Sequence, residues 1–141
     1  MPKTMESWVA KEWRALGFYF YRDTVCREYR FVGSREGLRQ FGALLMAYGL
    51  NPNNADESEH EHHDPFGSLK IMTLTFPRID DDAISGTLDD LRRWASIVSE
   101  KLDVAVVGEK IRISEEYTRS SQYILILDVR EDGFDPAAAE A

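Results

Sequence analysis

Two kinds of hydrophobic spacing alternate along this chain, and they constrain its fold more than any other feature. In SREGLRQFGALLMAYGLNP, Leu38, Phe41, Leu45 and Tyr48 recur at intervals of three and four, with Arg35, Glu36, Arg39 and Gln40 on the other face. That is the stripe of an amphipathic helix. Ser34 stands where a hydroxyl can accept from an orphan backbone N–H, and Gly49, Asn51 and Pro52 end the run. In RIDDDAISGTLDDLRRWASIVSEKLD, Leu88, Leu91, Trp94, Ala95, Val98 and Leu102 form a second stripe. Thr87, with Asp90 three residues on, has the form of a capping box.

Period two takes over elsewhere. In WRALGFYFYRD, Leu16, Phe18 and Phe20 alternate with Gly17, Tyr19 and Tyr21, and in REYRFVG, Tyr29 and Phe31 alternate with Glu28, Arg30 and Val32. The two read as a strand hairpin. LKIMTLTF, from Leu69 to Phe76, is apolar on both alternating sets, as a central strand should be. KIRISEEY and QYILILDV supply strands four and five. The resulting order predicts an α+β fold: one domain over residues 1–141, two-layered, with a mainly antiparallel five-stranded sheet and two helices on one face. The core is expected within 12–131. The terminal segments are 1–11 and 133–141, and the small-residue tail after the Asp132-Gly133 turn should fray.

Gly33-Ser34-Arg35-Glu36-Gly37-Leu38-Arg39-Gln40-Phe41 is echoed by Gly86-Thr87-Leu88-Asp89-Asp90-Leu91-Arg92-Arg93-Trp94. Both stretches open a helix. Because Gly-Ser and Gly-Thr commonly end one element and cap the next, that explanation is preferred at this point to a duplication.

Composition narrows the function. The 141 residues carry a formal charge of −8, with 25 acids against 17 bases, which disfavours a general nucleic-acid binder and fits a basic protein partner better. Cys26 is the only cysteine, so no disulfide forms within the chain and a reducing cytoplasm is the expected compartment. No apolar stretch reaches the length of a membrane span, and MPKTMESWVAKEWR lacks the form of a secretory signal. There is no Gly-rich phosphate loop, no G-x-S-x-G elbow and no acid–base pair at fixed spacing, so the reading leans away from an enzyme. Cys26 has no histidine or nucleophile motif beside it and reads as a passive thiol. Asp80 to Asp82 lack the spacing of a calcium loop and read as a solvated acidic cluster.

All three histidines lie in SEHEHHDPFG, on what reads as a surface connection between Asn51 and Ser68. In an extended segment His60 and His62 project to one side and Glu59 and Glu61 to the other, so the two histidines could share a Zn²⁺ ion. The same pattern also suits a solvated or partner-contacting loop. Candidate binding residues are therefore Glu59, His60, Glu61 and His62, together with Tyr19 and Tyr21 on the second face of strand one, and His60 and His62 are the candidate metal ligands.

GSREGLRQF, SEHEHHDPFGSLKIMT and EDGFDP together resemble a family of small bacterial cytoplasmic proteins of uncharacterised function, some of which look like immunity proteins of polymorphic toxin systems. The likeness spans Arg27 to Pro136. It departs at His63-Asp64-Pro65-Phe66, where the family pattern has an aromatic residue and a Gly-Pro-aromatic turn, which sets His63 apart from His60 and His62. The resemblance implies a non-enzymatic protein that neutralises a cognate toxin, and an acidic inhibitor of this kind would be steered toward a basic one. Two other classes stay open: a metal-binding protein or metal-dependent enzyme built on the His60/His62 loop, and a homodimer joined through strand one.

Overall fold

The computed structural model describes residues 3–65, 68–80, 83–113 and 122–140. In chain order it contains α1 (Lys3–Leu16), β1 (Tyr19–Asp23), β2 (Glu28–Ser34), α2 (Arg35–Leu50), a 3-10 turn (Pro52–Asn54), β3 (His60–His63), β4 (Leu69–Thr73), β5 (Arg78–Ile79), β6 (Ile84–Gly86), α3 (Leu88–Asp103), β7 (Lys110–Ile113), β8 (Ile124–Arg130) and a C-terminal 3-10 helix (Pro136–Glu140). No helix among the described residues is long and apolar enough to cross a membrane. The fold is α+β, but the expected single five-stranded sheet with two helices is corrected to two four-stranded sheets and three helices.

The first sheet runs β1-β2-β8-β7 and the second β3-β4-β6-β5. In each, two antiparallel hairpins meet at a parallel central pair, β2 with β8 and β4 with β6. The sheets are thus mixed, not mainly antiparallel. This connectivity resolves into two successive ββαββ units: β1-β2-α2-β3-β4, then β5-β6-α3-β7-β8. Each unit gives one hairpin to each sheet, and exchanging the units turns the order of the first sheet into that of the second.

The echo between Gly33–Phe41 and Gly86–Trp94 falls at equivalent points of the two units, and in both the hydroxyl residue caps a helix, as the punctuation reading expects. Both helices are 16 residues long. Ser34 Oγ accepts from the Gly37 N–H at 3.1 Å, and Thr87 Oγ1 accepts from the Asp90 N–H at 3.1 Å while Asp90 takes the Thr87 N–H at 3.0 Å. Leu38 and Leu91, like Phe41 and Trp94, are fully buried in the same core. Gly42 of α2 lies against Val98 and Ala95 of α3, so the helices approach closely where α2 carries no side chain.

One core runs through the molecule. Phe31 stacks on Phe41 at 4.2 Å and lies 4.8 Å from Tyr29, joining the first sheet to α2. Leu69, Ile71, Ile79 and Ile84 carry the core into the second sheet. Trp13 of α1 closes one side, with its ring 4.7 Å from Tyr19 and 5.3 Å from Phe20.

Four further expectations change. Leu16 ends α1 instead of opening β1, because Val9, Trp13 and Leu16 give the amino-terminal segment a helical apolar side. The connection after α2 contains β3, whose polar residues hid it from hydrophobic periodicity. RIDDDAISG holds β5 and β6, each too short to show a period. The tail is also ordered as far as Glu140: the Arg14 guanidinium donates to both Asp135 carboxylate oxygens at 3.1 and 3.0 Å. Phe66, Gly67, Asp81 and Asp82, and the Ser114–Tyr117 end of the fourth predicted strand, lie outside the described residues.

Gly17, with φ of +96°, makes the turn from α1 into β1 and rests on the first turn of α2. A Cβ on Gly37 would stand 2.1 Å from the Gly17 carbonyl oxygen, which is backbone and cannot swing aside. Gly37→Ala is therefore expected to cost at least about 1–3 kcal/mol, the range for overpacking, and urea unfolding measures it.

Candidate functional site

Period two sorts the first sheet into a core face and an outer face. Phe20, Tyr29, Phe31, Leu125, Leu127 and Val129 belong to the core. The other parity carries Tyr19 and Tyr21 on β1, Glu28, Arg30 and Val32 on β2, Ile126, Asp128 and Arg130 on β8, and Lys110 and Arg112 on β7. Register aligns these in rows: Tyr21 beside Arg30, Arg30 beside Ile126, Ile126 beside Arg112, and likewise Tyr19, Val32, Asp128 and Lys110. A groove of about 440 Å³ opens here, lined by Tyr19, Tyr21, Arg30, Lys110, Asp128 and Arg130, with Phe134 at its rim.

The arginines are held in place by carboxylates. Arg30 donates through Nε and Nη2 to Glu28 Oε1 at 3.1 and 2.8 Å, and Arg112 donates to Glu28 Oε2 at 3.2 Å. Arg130 donates to both Asp128 oxygens at 3.0 and 3.2 Å, and its guanidinium lies 5.6 Å from the Phe134 ring centre. Glu28 and Asp128 are both buried. The hydrogen bonds from Arg30 hold the Glu28 carboxyl below its ordinary range against the opposing effect of burial, and Arg112 adds to them. Such pairing fixes the side chains before any partner arrives.

The second sheet carries the histidines. The expected surface connection contains β3, an edge strand paired with β4 so that His60 is opposite Met72, Glu61 opposite Ile71, His62 opposite Lys70 and His63 opposite Leu69. Leu69 and Ile71 are core residues, so His60 and His62 share the outward parity while Glu61 and His63 take the inward one. The rings of His60 and His62 are 5.1 Å apart, centre to centre, and nearly perpendicular. The Tyr48 hydroxyl lies 2.7 Å from the Glu59 carbonyl and 2.7 Å from Thr73 Oγ1, which itself donates to the Asn54 carbonyl at 2.6 Å. The lead-in to β3 is thereby tied to α2, while the Glu59 side chain stays exposed.

His63 points elsewhere. It lines a cavity of about 320 Å³ with Glu12, Leu16, Gln40, Leu44 and Asp64, and its Nε2 is 3.5 Å from a Glu61 carboxylate oxygen. Burial first, and then the Asp64 carboxylate, raise the Glu12 carboxyl above its ordinary range.

The candidate residues therefore divide between two surfaces: Tyr19 and Tyr21 on the first sheet, and His60 and His62 on the second. Glu28, Arg30, Lys110, Asp128, Arg130 and Phe134 escaped the sequence reading, although the polar parity of REYRFV and ILILDVR was a usable signal. Asp23, Cys26 and Glu28 bring three ligand atoms within 4.8 Å of one another. Yet Glu28 is occupied by two arginines, and Asp23 accepts the N–H groups of Val25 and Cys26 at 3.1 and 3.0 Å. The negative charge of Asp23 also raises the Cys26 thiol above its ordinary range. Asp80 is paired with Arg78 at 3.1 Å and accepts the Ala83 N–H at 2.9 Å, so it closes the β5–β6 turn.

A scan against protein-family models matched none, and searches of the curated proteins and of the solved structures found no match.

Because the folded-state value of Glu28 is lowered, its stabilising contribution is present above the ordinary carboxylate range and is lost as pH falls through the folded value. Glu28→Gln should lower the unfolding midpoint at neutral pH, with the difference from the native chain shrinking in strong acid. Thermal melts across the acid range measure this.

Proposed function

We propose that this chain is a cytoplasmic, non-enzymatic binding protein that acts as an immunity protein, neutralising a cognate toxin, with the outer face of the first sheet as its docking surface. One observation carries the reading: a groove that combines two tyrosines with arginines already fixed by carboxylates. Tyr and Arg are the side chains that most often dominate binding energy at protein interfaces. Pre-paired arginines also lose little conformational freedom on docking.

Charge supports a basic partner at long range. The chain's net −8 would attract a basic toxin. At contact distance the groove presents Arg30, Arg130 and Lys110, while the buried Asp128 is already paired with Arg130, so pairing of these cations with acidic groups of the partner can set register and specificity. The likeness of GSREGLRQF, SEHEHHDPFGSLKIMT and EDGFDP to immunity-like proteins agrees with this reading.

Co-expression with the products of adjacent genes, followed by calorimetry on any complex, tests it. Tyr21 is 38% exposed at the groove. Tyr21→Ala is expected to weaken partner binding roughly tenfold or more, about 1.4 kcal/mol, while thermal stability stays near that of the native chain. Unchanged affinity in both Tyr21→Ala and Arg130→Ala would remove this face from the interface. A turnover reaction lost on changing His60 would overturn the binding-protein reading.

A further inference from the structure

We propose that His60 and His62 form half of a zinc site and that a second copy of the chain completes it with the same pair. This stands apart from the groove on the first sheet and does not depend on it. The two imidazoles belong to an edge strand, project to the same side and are exposed. With zinc–nitrogen bonds of about 2 Å and a near-tetrahedral angle, two imidazole centres on one ion stand about 5 Å apart. The observed separation is 5.1 Å.

The outer shell of such a site is also present. His60 Nδ1 lies 3.0 Å from the Ser58 carbonyl, so an N–H at Nδ1 donates there and Nε2 keeps the lone pair a metal needs. Metal-bound histidines commonly have their second nitrogen satisfied by a carbonyl or carboxylate in this way. Ser58 holds a left-handed φ of +75° and donates its own N–H to the Thr73 carbonyl at 2.8 Å, so the orienting carbonyl is fixed to β4.

Among the described residues of one chain the ligand set stops at two. The outward neighbours on β4 are Lys70 and Met72, and among the described residues the one group of three convergent ligands is Asp23, Cys26 and Glu28. Zinc held by side chains ordinarily takes three or four. A two-fold axis beside β3 doubles the pair to four histidines, with an isologous contact. The equivalent edge strand of the other unit, β7, carries Lys110 and Arg112 outward, which cannot ligate. Of these two equivalent edges, the histidine edge is therefore the competent one, and a two-fold contact through it closes at the dimer.

Titrating the full-length chain with zinc chloride, with calorimetry for stoichiometry and sedimentation velocity for mass, tests the proposal. The expected result is one zinc per two chains and a doubling of mass, both reversed by a chelator. Zinc binding and dimerisation should be lost in His60→Ala with His62→Ala, and in His60→Gln or His62→Gln alone, which keep the strand polar if the double change disturbs folding. Both should persist in His63→Ala, whose ring takes the inward parity. One zinc per chain without a change of mass, no zinc binding, or a zinc-dependent dimer that survives the double change would each overturn it.

Discussion

The two parallel strand pairs, β2 with β8 and β4 with β6, are the constraint on which the rest of the molecule depends. A two-stranded hairpin is marginal in water and gains stability when it joins a wider sheet with a buried face. Each ββαββ unit makes two hairpins, and neither of them widens within its own unit. Each becomes half of a four-stranded sheet only when the other unit supplies the second half. The long-range β2–β8 pairing is thus what makes the first sheet a sheet, and it sets β8 at the sheet's centre, with Leu125, Ile126, Leu127 and Val129 all buried.

The same exchange brings α2 and α3 together. With one helix between the hairpins of each unit, joining the hairpins across units sets the helices side by side, and Gly42 lets them come close. Leu45 and Tyr48 from one helix and Trp94 and Val98 from the other then fill one core. The core takes one parity of each sheet. The other parity is free to be polar, and the first sheet uses this for the grid in which Glu28 holds Arg30 and Arg112 while Asp128 holds Arg130. Buried carboxylates are tolerable there because each is paired with a fixed cation.

How much of this was legible depended on which physical signal each element sends. The helices α2 and α3 were read with their caps, because a stripe of four or more apolar residues behind Ser34 or Thr87 is a strong local pattern. Strands β4 and β8 were read for their continuous apolar runs. α1 was missed because Trp8 is exposed while Trp13 is buried, which blurs its stripe. β3 was missed for a different reason: it is a strand made by pairing with Leu69–Met72, and His-Glu-His-His has no hydrophobic period to announce it. Its alternation was nevertheless read correctly, since His60 and His62 do share a side opposite to Glu61. The parallel pairings were beyond local patterns altogether, and the Gly-Ser and Gly-Thr echo marks the helix caps at equivalent points of the two units.

A doubled scaffold offers equivalent positions, and this chain fills them differently. At the outer edge of the first sheet, β7 presents Lys110 and Arg112, and at the equivalent edge β3 presents His60 and His62. Permanently charged side chains keep an edge strand from pairing with other chains, whereas imidazoles are neutral ligands when unprotonated. The outer faces differ in the same sense, since the strands β7 and β8 carry Lys110, Arg112, Asp128 and Arg130 outward where the equivalent β3 and β4 carry His60, His62, Lys70 and Met72. The core residues equivalent between the units stay large and apolar, as Leu38 and Leu91 or Phe41 and Trp94 show. Packing holds the two units to a common interior, and solvent leaves their surfaces free to diverge.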